Sequence, residues 1–155
     1  MSTLALLLLP ACGLLSPGLD GDWEGKVQCR DASGSVDVEV ALGLDKDGGG
    51  TFSGELDMVQ VRARSYQGSP AELRLTVACS AELGTTGFGE QDLDYDIEIE
   101  DWTCELYQGD SLVGWGCAEL GVAVDGNESD FGTLTWDGRD RIEVDDGPCQ
   151  GELER

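Results

Sequence analysis

The fold is decided by Ala71-Glu-Leu-Arg-Leu-Thr-Val-Ala-Cys-Ser-Ala-Glu-Leu83, the longest regular alternation of apolar and polar residues in the chain. Its apolar residues on one side are Leu73, Leu75, Val77, Cys79, Ala81 and Leu83. A period of two residues puts successive side chains on opposite faces of a β-strand. The stretch therefore predicts a strand with one face in a core and the other in water.

The same period recurs on both sides of this stretch, and glycine-rich turns separate the repeats. Further strands or parts of strands are predicted at 22–30, 35–44, 52–58, 59–66, 93–106, 113–117, 120–124, 131–136, 139–144 and 149–153. After Ile99 the apolar residues change from odd to even positions, which predicts a β-bulge near Glu100-Asp101. The sequence predicts an all-β fold: an antiparallel meander of about eight to ten strands that forms a small barrel or a sandwich.

The start of the chain has a different pattern. Leu4 to Leu9 is an apolar run too short to span a bilayer but of the size of a signal-peptide core. Leu9-Pro10-Ala11-Cys12 resembles the lipobox of bacterial lipoproteins, with Ala11 before the cleavage point and Cys12 as the lipid acceptor. The alternatives are a secretory signal that is cut elsewhere, or a buried apolar strand of a cytosolic protein.

The lipobox resemblance implies a division of the chain and a location. Residues 1–11 would be a signal peptide, residues 12–20 a lipid-attached tether, and residues 21–155 an acidic all-β domain. The lipid on Cys12 would anchor the domain to a membrane. The protein would then be extracytoplasmic, in the bacterial cell envelope, as an outer-membrane lipoprotein.

The charge and the composition argue against several classes of function. The net charge of −23 comes from 32 acidic and nine basic residues, and it argues against a nucleic-acid partner. The chain has no histidine, so it lacks the usual general base and every Ser-His or Cys-His arrangement. We expect a non-enzymatic binding or structural interaction module for an unknown protein or small molecule. A hydrolase that uses paired carboxylates is the alternative from the enzyme class.

The six cysteines suit an oxidising compartment. Cys104 and Cys117 flank a hairpin at nearly equal distance, so they are candidates for a cross-strand disulfide. Cys29 and Cys149 lie in the first and last predicted strands and are candidates for a second. Cys79 would remain as a buried free thiol if Cys12 is lipidated, although other pairings are compatible with the sequence.

A short repeat of glycine and aromatic residues favours a meander with a tapered barrel interior. Gly21-x-Trp23-x-Gly25 matches Gly50-x-Phe52-x-Gly54, and Gly21-Asp22-Trp23 resembles the Gly-x-Trp signature of the lipocalin family. The resemblance implies that Trp23 closes the base of a barrel whose cup carries a small apolar ligand. Trp23 and Phe52 would then border the cavity. The alternative is that Trp23 fills the core of another kind of β domain.

Two groups of acidic residues could bind cations. Asp45-x-Asp47-x-Gly49 resembles the first half of an EF-hand loop, which implies a calcium site at Asp45 and Asp47. The alternative is a polar hairpin turn, and no other cofactor is expected. The second group is an acidic ladder, for which arginines are the expected neighbours. The ladder consists of Asp92, Asp94, Asp96, Glu98 and Glu100, and the candidate arginines are Arg62, Arg64 and Arg74.

Overall fold

The computed structural model describes residues 18–31, 34–123 and 132–155, and these residues form ten β-strands and no helix. The strands are β1 (Gly21–Asp31), β2 (Gly34–Gly48), β3 (Thr51–Tyr66), β4 (Ser69–Gly84), β5 (Gln91–Asp92), β6 (Asp94–Gln108), β7 (Ser111–Trp115), β8 (Thr133–Trp136), β9 (Arg141–Asp145) and β10 (Cys149–Glu154). All strand pairs are antiparallel. The prediction of an all-β antiparallel meander is confirmed.

The ten strands form one sheet in the order β5-β8-β9-β10-β1-β2-β3-β4-β6-β7, and the sheet is not closed. The edge strand β5 continues through Leu93 directly into β6, which lies near the other edge. The Leu93 amide donates to the Leu134 carbonyl oxygen at 2.8 Å, next to the β5–β8 pairing. The sheet is therefore rolled, and its two halves face each other across a shared core as in a sandwich.

The inward residues of the alternating strands meet in one main core. At one end of it lie Leu19, Trp23 and Phe52, which are 0 %, 0 % and 4 % exposed. We call this the closed end. At the other end, β1 and β10 are joined where Cys29 pairs with Cys149, and we call this the open end.

Close strand approach makes the tight curvature possible. A Cβ on Gly25 would meet the backbone oxygen of Glu152, and a Cβ on Gly54 would meet that of Gly43. Glycine is needed at both positions because only a residue without a side chain lets the neighbouring strand approach so closely. The repeated sequence pattern thus corresponds to two equivalent bends in the sheet.

Beyond the open end, β3, β4 and β6 continue as a ribbon that also includes β7. The bulge predicted near Glu100-Asp101 lies here: Ala78 pairs with Asp101 and Cys79 with Ile99, so Glu100 has no opposite residue. The shift turns Cys104 and Leu106 towards a second, smaller core. The segment 117–121 is a turn rather than the start of a predicted strand at 120–124. Leu120 lies in this turn and Val122 follows it, and both pack on the second core. This packing explains the apolar alternation in the sequence.

No helix in the described part of the chain is long and apolar enough to cross a membrane. The sequence resemblance to a lipobox concerns residues 9–12, which lie outside the described residues.

Candidate ligand-binding cavity

The main core contains a partly open cavity of about 180 Å³ between the closed and open ends. Its walls come from all the long strands of the rolled sheet and from β8 to β10. The lining residues are Val27, Cys29, Val38, Val40, Leu42, Leu56, Met58, Leu83, Ile97, Leu134, Ile142, Val144, Asp146, Cys149 and Leu153.

The lining is almost entirely apolar. Asp146 is the only lining residue with a charge, and it lies in the turn between β9 and β10 next to Cys149. None of the buried residues that the structure describes is polar or charged. Apolar cavities of about 150 Å³ stay dry and bind molecules such as benzene, so a cavity of this size and chemistry suits one small apolar molecule.

Trp23 and Phe52 do not line this cavity. They fill the closed end beyond it, because their register partners Leu42 and Leu83 already form the adjacent wall. The sequence resemblance implies that both aromatic residues border the ligand, and the structure places them one layer deeper. In this position both side chains fill one end of the main core.

The closed end is held by the two termini of the described chain. Trp23 Nε1 donates to the Leu19 carbonyl oxygen at 2.8 Å. The Arg155 guanidinium lies 4.7 Å from the centre of the Trp23 ring and donates to the carbonyl oxygens of Gly18 and Asp20 at 2.8 and 3.0 Å. It also donates to the carbonyl oxygen of Arg139 in the turn between β8 and β9. The cavity is therefore sealed at this end.

Trp136 is another buried aromatic residue of the main core. Its side chain is 5 % exposed, and its Nε1 is a buried donor without a hydrogen-bond partner. The cavity-lining Leu134 precedes it by two residues on the same face of β8, and the cavity-lining Ile142 is its register partner in β9. The alternation of threonine with apolar residues in β8 predicts burial for Trp136, but the missing acceptor is visible only in three dimensions.

Both cysteine pairs expected from the sequence form disulfides in the structure. Cys29 bonds to Cys149 at the open end of the cavity, and Cys104 bonds to Cys117 within the ribbon. Cys79 is a free thiol in the main core with 2 % exposure. Burial raises the pKa of the Cys79 thiol, and the charges of Asp57 and Glu100 raise it further. Cys79 therefore stays a neutral thiol with low reactivity at physiological pH.

The predicted calcium residues lie on the outer surface. Asp45 and Asp47 are exposed residues near the end of β2, which runs to Gly48 as a strand before a tight turn. No group of three or more potential metal ligands occurs among the residues in the described ranges. Calcium binding stays a prediction.

The acidic ladder is also on the outer surface, and all five of its carboxylates are exposed. Its neighbours in β4 are Ser80, Glu82 and Gly84 rather than arginines. Asp96 lies directly opposite Glu82 in the register, so two like charges face each other. Arg74 lies instead on the ribbon, opposite Glu105.

The outer face of the ribbon carries exposed apolar side chains. One row across the sheet is Val61, Arg74, Glu105 and Trp115, in register order. Trp115 is 71 % exposed and Val61 41 %. In the middle of this face Arg74 lies 5.3 Å from the centre of the Tyr107 ring. The Tyr107 hydroxyl donates to Glu105 at 2.9 Å, and this hydrogen bond raises the pKa of Tyr107.

Comparison of the chain with protein-family models, with curated proteins and with solved structures found no match.

Proposed function

We propose that this protein is a non-enzymatic carrier that binds a small apolar ligand in the interior cavity. The observation that carries the proposal is the apolar cavity of about 180 Å³ in the middle of the core. A well-packed domain of this size leaves few voids larger than a water molecule, so such a cavity needs an explanation. The resemblance of Gly21-Asp22-Trp23 to the lipocalin signature supports the same function.

The cavity also suggests the size and affinity of the ligand. A molecule that buries about 200 Å² of apolar surface gains about 5 kcal/mol at 25 cal/mol per Å², which corresponds to a dissociation constant of about 0.2 mM. We expect ligands with one ring or a short hydrocarbon chain. Larger ligands would have to extend past Met58 and Cys149 towards the open end.

Thermal denaturation with benzene, toluene and n-hexane tests the proposal. A ligand that binds only the folded state raises Tm, and the rise grows with ligand concentration. Val40→Phe should abolish the rise because the ring fills the cavity, whereas Val61→Phe on the exposed ribbon face should leave it intact. Leu42→Ala enlarges the cavity and should extend binding to bulkier rings. Equal Tm shifts in all these variants, or no shift in the wild type, would contradict the proposal.

We also propose that the carrier is a lipoprotein of the bacterial cell envelope, anchored at the outer membrane through Cys12. Two disulfides support an oxidising, extracytoplasmic environment. Residue 18 joins the domain at the closed end, where Arg155 holds its carbonyl oxygen. Attachment through residues 12–17 would leave the open end of the cavity at the far end from the anchor.

Intact mass spectrometry of the protein extracted from native membranes tests the anchor. The expected mass is that of residues 12–155 with a diacylglycerol on Cys12 and two disulfides. A chain that retains residues 1–11, or a soluble product cleaved at another position, would exclude the lipoprotein assignment while leaving the cavity proposal untouched.

A further inference from the structure

We propose that the ligand of the interior cavity is an apolar amine, bound as its ammonium ion, whose charged group pairs with the Asp146 carboxylate at the open end. This inference deepens the proposed carrier function and depends on it. The observation that carries it is that Asp146 is the one charged residue among the described residues that line the cavity.

Asp146 continues the inward-facing row of β9. Successive residues of a strand alternate between its two faces. Ile142, Val144 and Asp146 follow one another at intervals of two, and all three line the cavity. Glu143 and Asp145, which lie between them, are exposed. The chain therefore has a carboxylate where the pattern of this strand would otherwise place an apolar side chain.

The backbone of Asp146 is held in place on two sides. Its amide donates to the Cys149 carbonyl oxygen at 2.8 Å, and Cys149 is bonded to Cys29 at the open end. Gly132 packs closely against it, because a Cβ on Gly132 would meet the Cα and Cβ of Asp146 at 2.6 and 3.0 Å. The residue is therefore positioned beside the cavity before a ligand arrives, which lowers the cost of ordering it on binding.

The position of Asp146 favours a cationic ligand. Asp146 is half-buried, and a ligand that fills the cavity removes further water from it. Covering an unpaired charge is costly, so a neutral hydrocarbon binds with a penalty and an anion meets repulsion as well. An ammonium group offsets this cost because it donates charge-assisted hydrogen bonds. A carboxylate accepts from several donors at once, so the ligand joins the contacts that Asp146 makes within the protein.

The remainder of the ligand has to be apolar. The other lining residues have uncharged side chains, and the cavity volume of about 180 Å³ suits one ring or a short hydrocarbon chain. The net charge of −23 attracts cations to the protein and repels anions. Primary and secondary amines with such a hydrocarbon body form the expected class.

The test uses cyclohexylmethylamine and ethylcyclohexane, which have nearly the same shape but differ in the ammonium group. Binding of each to the full chain is measured by NMR titration at pH 7. Asp146→Asn keeps the shape of the side chain and removes its charge. It should weaken amine binding about five- to tenfold, because a charge-assisted hydrogen bond at a half-exposed site is lost. Binding of ethylcyclohexane should change less than twofold.

The matched control is Asp145→Asn. It removes the same charge from the adjacent residue, which is exposed and does not line the cavity. Binding of both molecules to this variant should stay within twofold of the wild type. Cyclohexylacetate, the anion of similar shape, should bind the wild type at least tenfold more weakly than the amine.

A second readout locates the ammonium group, because the 32 acidic residues offer other carboxylates on the surface. Nuclear Overhauser contacts should join the methylene next to the nitrogen to the Asp146 β protons. Val40→Phe, which fills the cavity, should abolish binding of the amine.

The outcomes separate this inference from the carrier function. An equal ratio of the two affinities in wild type and Asp146→Asn would overturn the inference alone. Amine binding that persists in Val40→Phe, or contacts of the methylene only with other carboxylates, would do the same. Failure of both molecules to bind the wild type would overturn the carrier function as well.

Discussion

The Arg155 guanidinium lies 4.7 Å from the centre of the Trp23 ring, and the same group donates to three backbone carbonyl oxygens. A residue at the end of β10 thus covers a residue at the start of β1. Trp23 has 0 % exposure because Arg155 and Leu19 enclose it. One exposed cation therefore covers the aromatic residue at the closed end of the core.

Arg155→Ala should reduce the free energy of unfolding by about 2 kcal/mol, because a cation–π contact and several charge-assisted hydrogen bonds are lost. Arg155→Lys keeps the charge but not the planar set of donors, and it should recover less than half of the loss. Urea denaturation measures both. Arg139→Ala removes an exposed positive charge nearby and serves as the control. A loss as large in Arg139→Ala would show that charge alone is responsible.

The two disulfides should stabilise the protein unequally. Cys29–Cys149 closes a sequence separation of 120 residues and Cys104–Cys117 one of 13. Loop-closure entropy in the unfolded chain predicts about 5 kcal/mol for the first and about 3 kcal/mol for the second. Denaturation of the two double alanine variants checks this difference. The prediction fails if the Cys104/Cys117 variant is the less stable of the two.

Gly25→Ala should destabilise the protein by about 3 kcal/mol or more. A Cβ there would meet the backbone oxygen of Glu152, which cannot move without separating β1 from β10. Gly84→Ala is the control, because its Cβ would meet the Asp94 side chain at an ordinary 3.6 Å. Circular dichroism melting curves should show a much lower Tm for Gly25→Ala and a nearly unchanged one for Gly84→Ala. Equal shifts would mean that flexibility rather than strand approach is the reason for glycine.

Like-charge repulsion should be measurable on the acidic face. Glu82 and Asp96 lie opposite each other in adjacent strands, and such pairs destabilise a sheet by about 0.2–1 kcal/mol. Glu82→Gln should therefore raise stability, most at low salt, and the gain should shrink as salt screens the charges. Asp94→Asn, on the partner strand β6, is the control, because Asp94 faces Gly84 and not a charged residue. A gain from Glu82→Gln that does not depend on salt would contradict the electrostatic cause.

Asp137 should make stability dependent on acidity. Burial raises the pKa of its carboxyl, but hydrogen bonds from the backbone N–H groups of Arg139, Arg141 and Asp140 lower it more, so the net direction is downward. A lowered folded-state pKa favours the ionised form, so its contribution is present above the unfolded pKa of about 4 and is lost as pH falls through the folded pKa.

Asp137→Ala should therefore cost about 1 kcal/mol near pH 6, and the difference from wild type should shrink below about pH 4. Denaturation at a series of pH values measures it. Asp140→Ala, in the same turn, should give a smaller difference. A cost of Asp137→Ala that stays constant down to pH 2 would indicate a role other than that of the charged carboxylate.

The sequence predicted the strands well where burial follows a strict period of two, as in β4. It also located the bulge at Glu100, because a change of phase is a local signal. The apolar alternation at Leu120 and Val122 predicted a strand but reflects packing of a turn on the second core. An alternating pattern indicates which side chains are buried. It does not distinguish a strand from a turn that packs on a core.

The cavity could not be predicted from sequence, because it depends on which residues of different strands lie side by side in the rolled sheet. Trp23 and Phe52 occupy equivalent places in the repeat, but their partners Leu42 and Leu83 form the cavity wall. Pairwise register between distant strands carries this information.

The pairing of β5 with β8 is short, so the sheet around the core is not held equally firmly on all sides. The sheet is completed around the core at two long-range joins, and the β1–β10 join is locked by a disulfide, whereas the β5–β8 join has two residue pairs. Transient opening of the native state should concentrate at the β5–β8 join, because few hydrogen bonds break there. The amide of Leu93, which bonds across this join, is the group whose hydrogen exchange reports that opening. A ligand would then have a side route into the core that does not pass the open end.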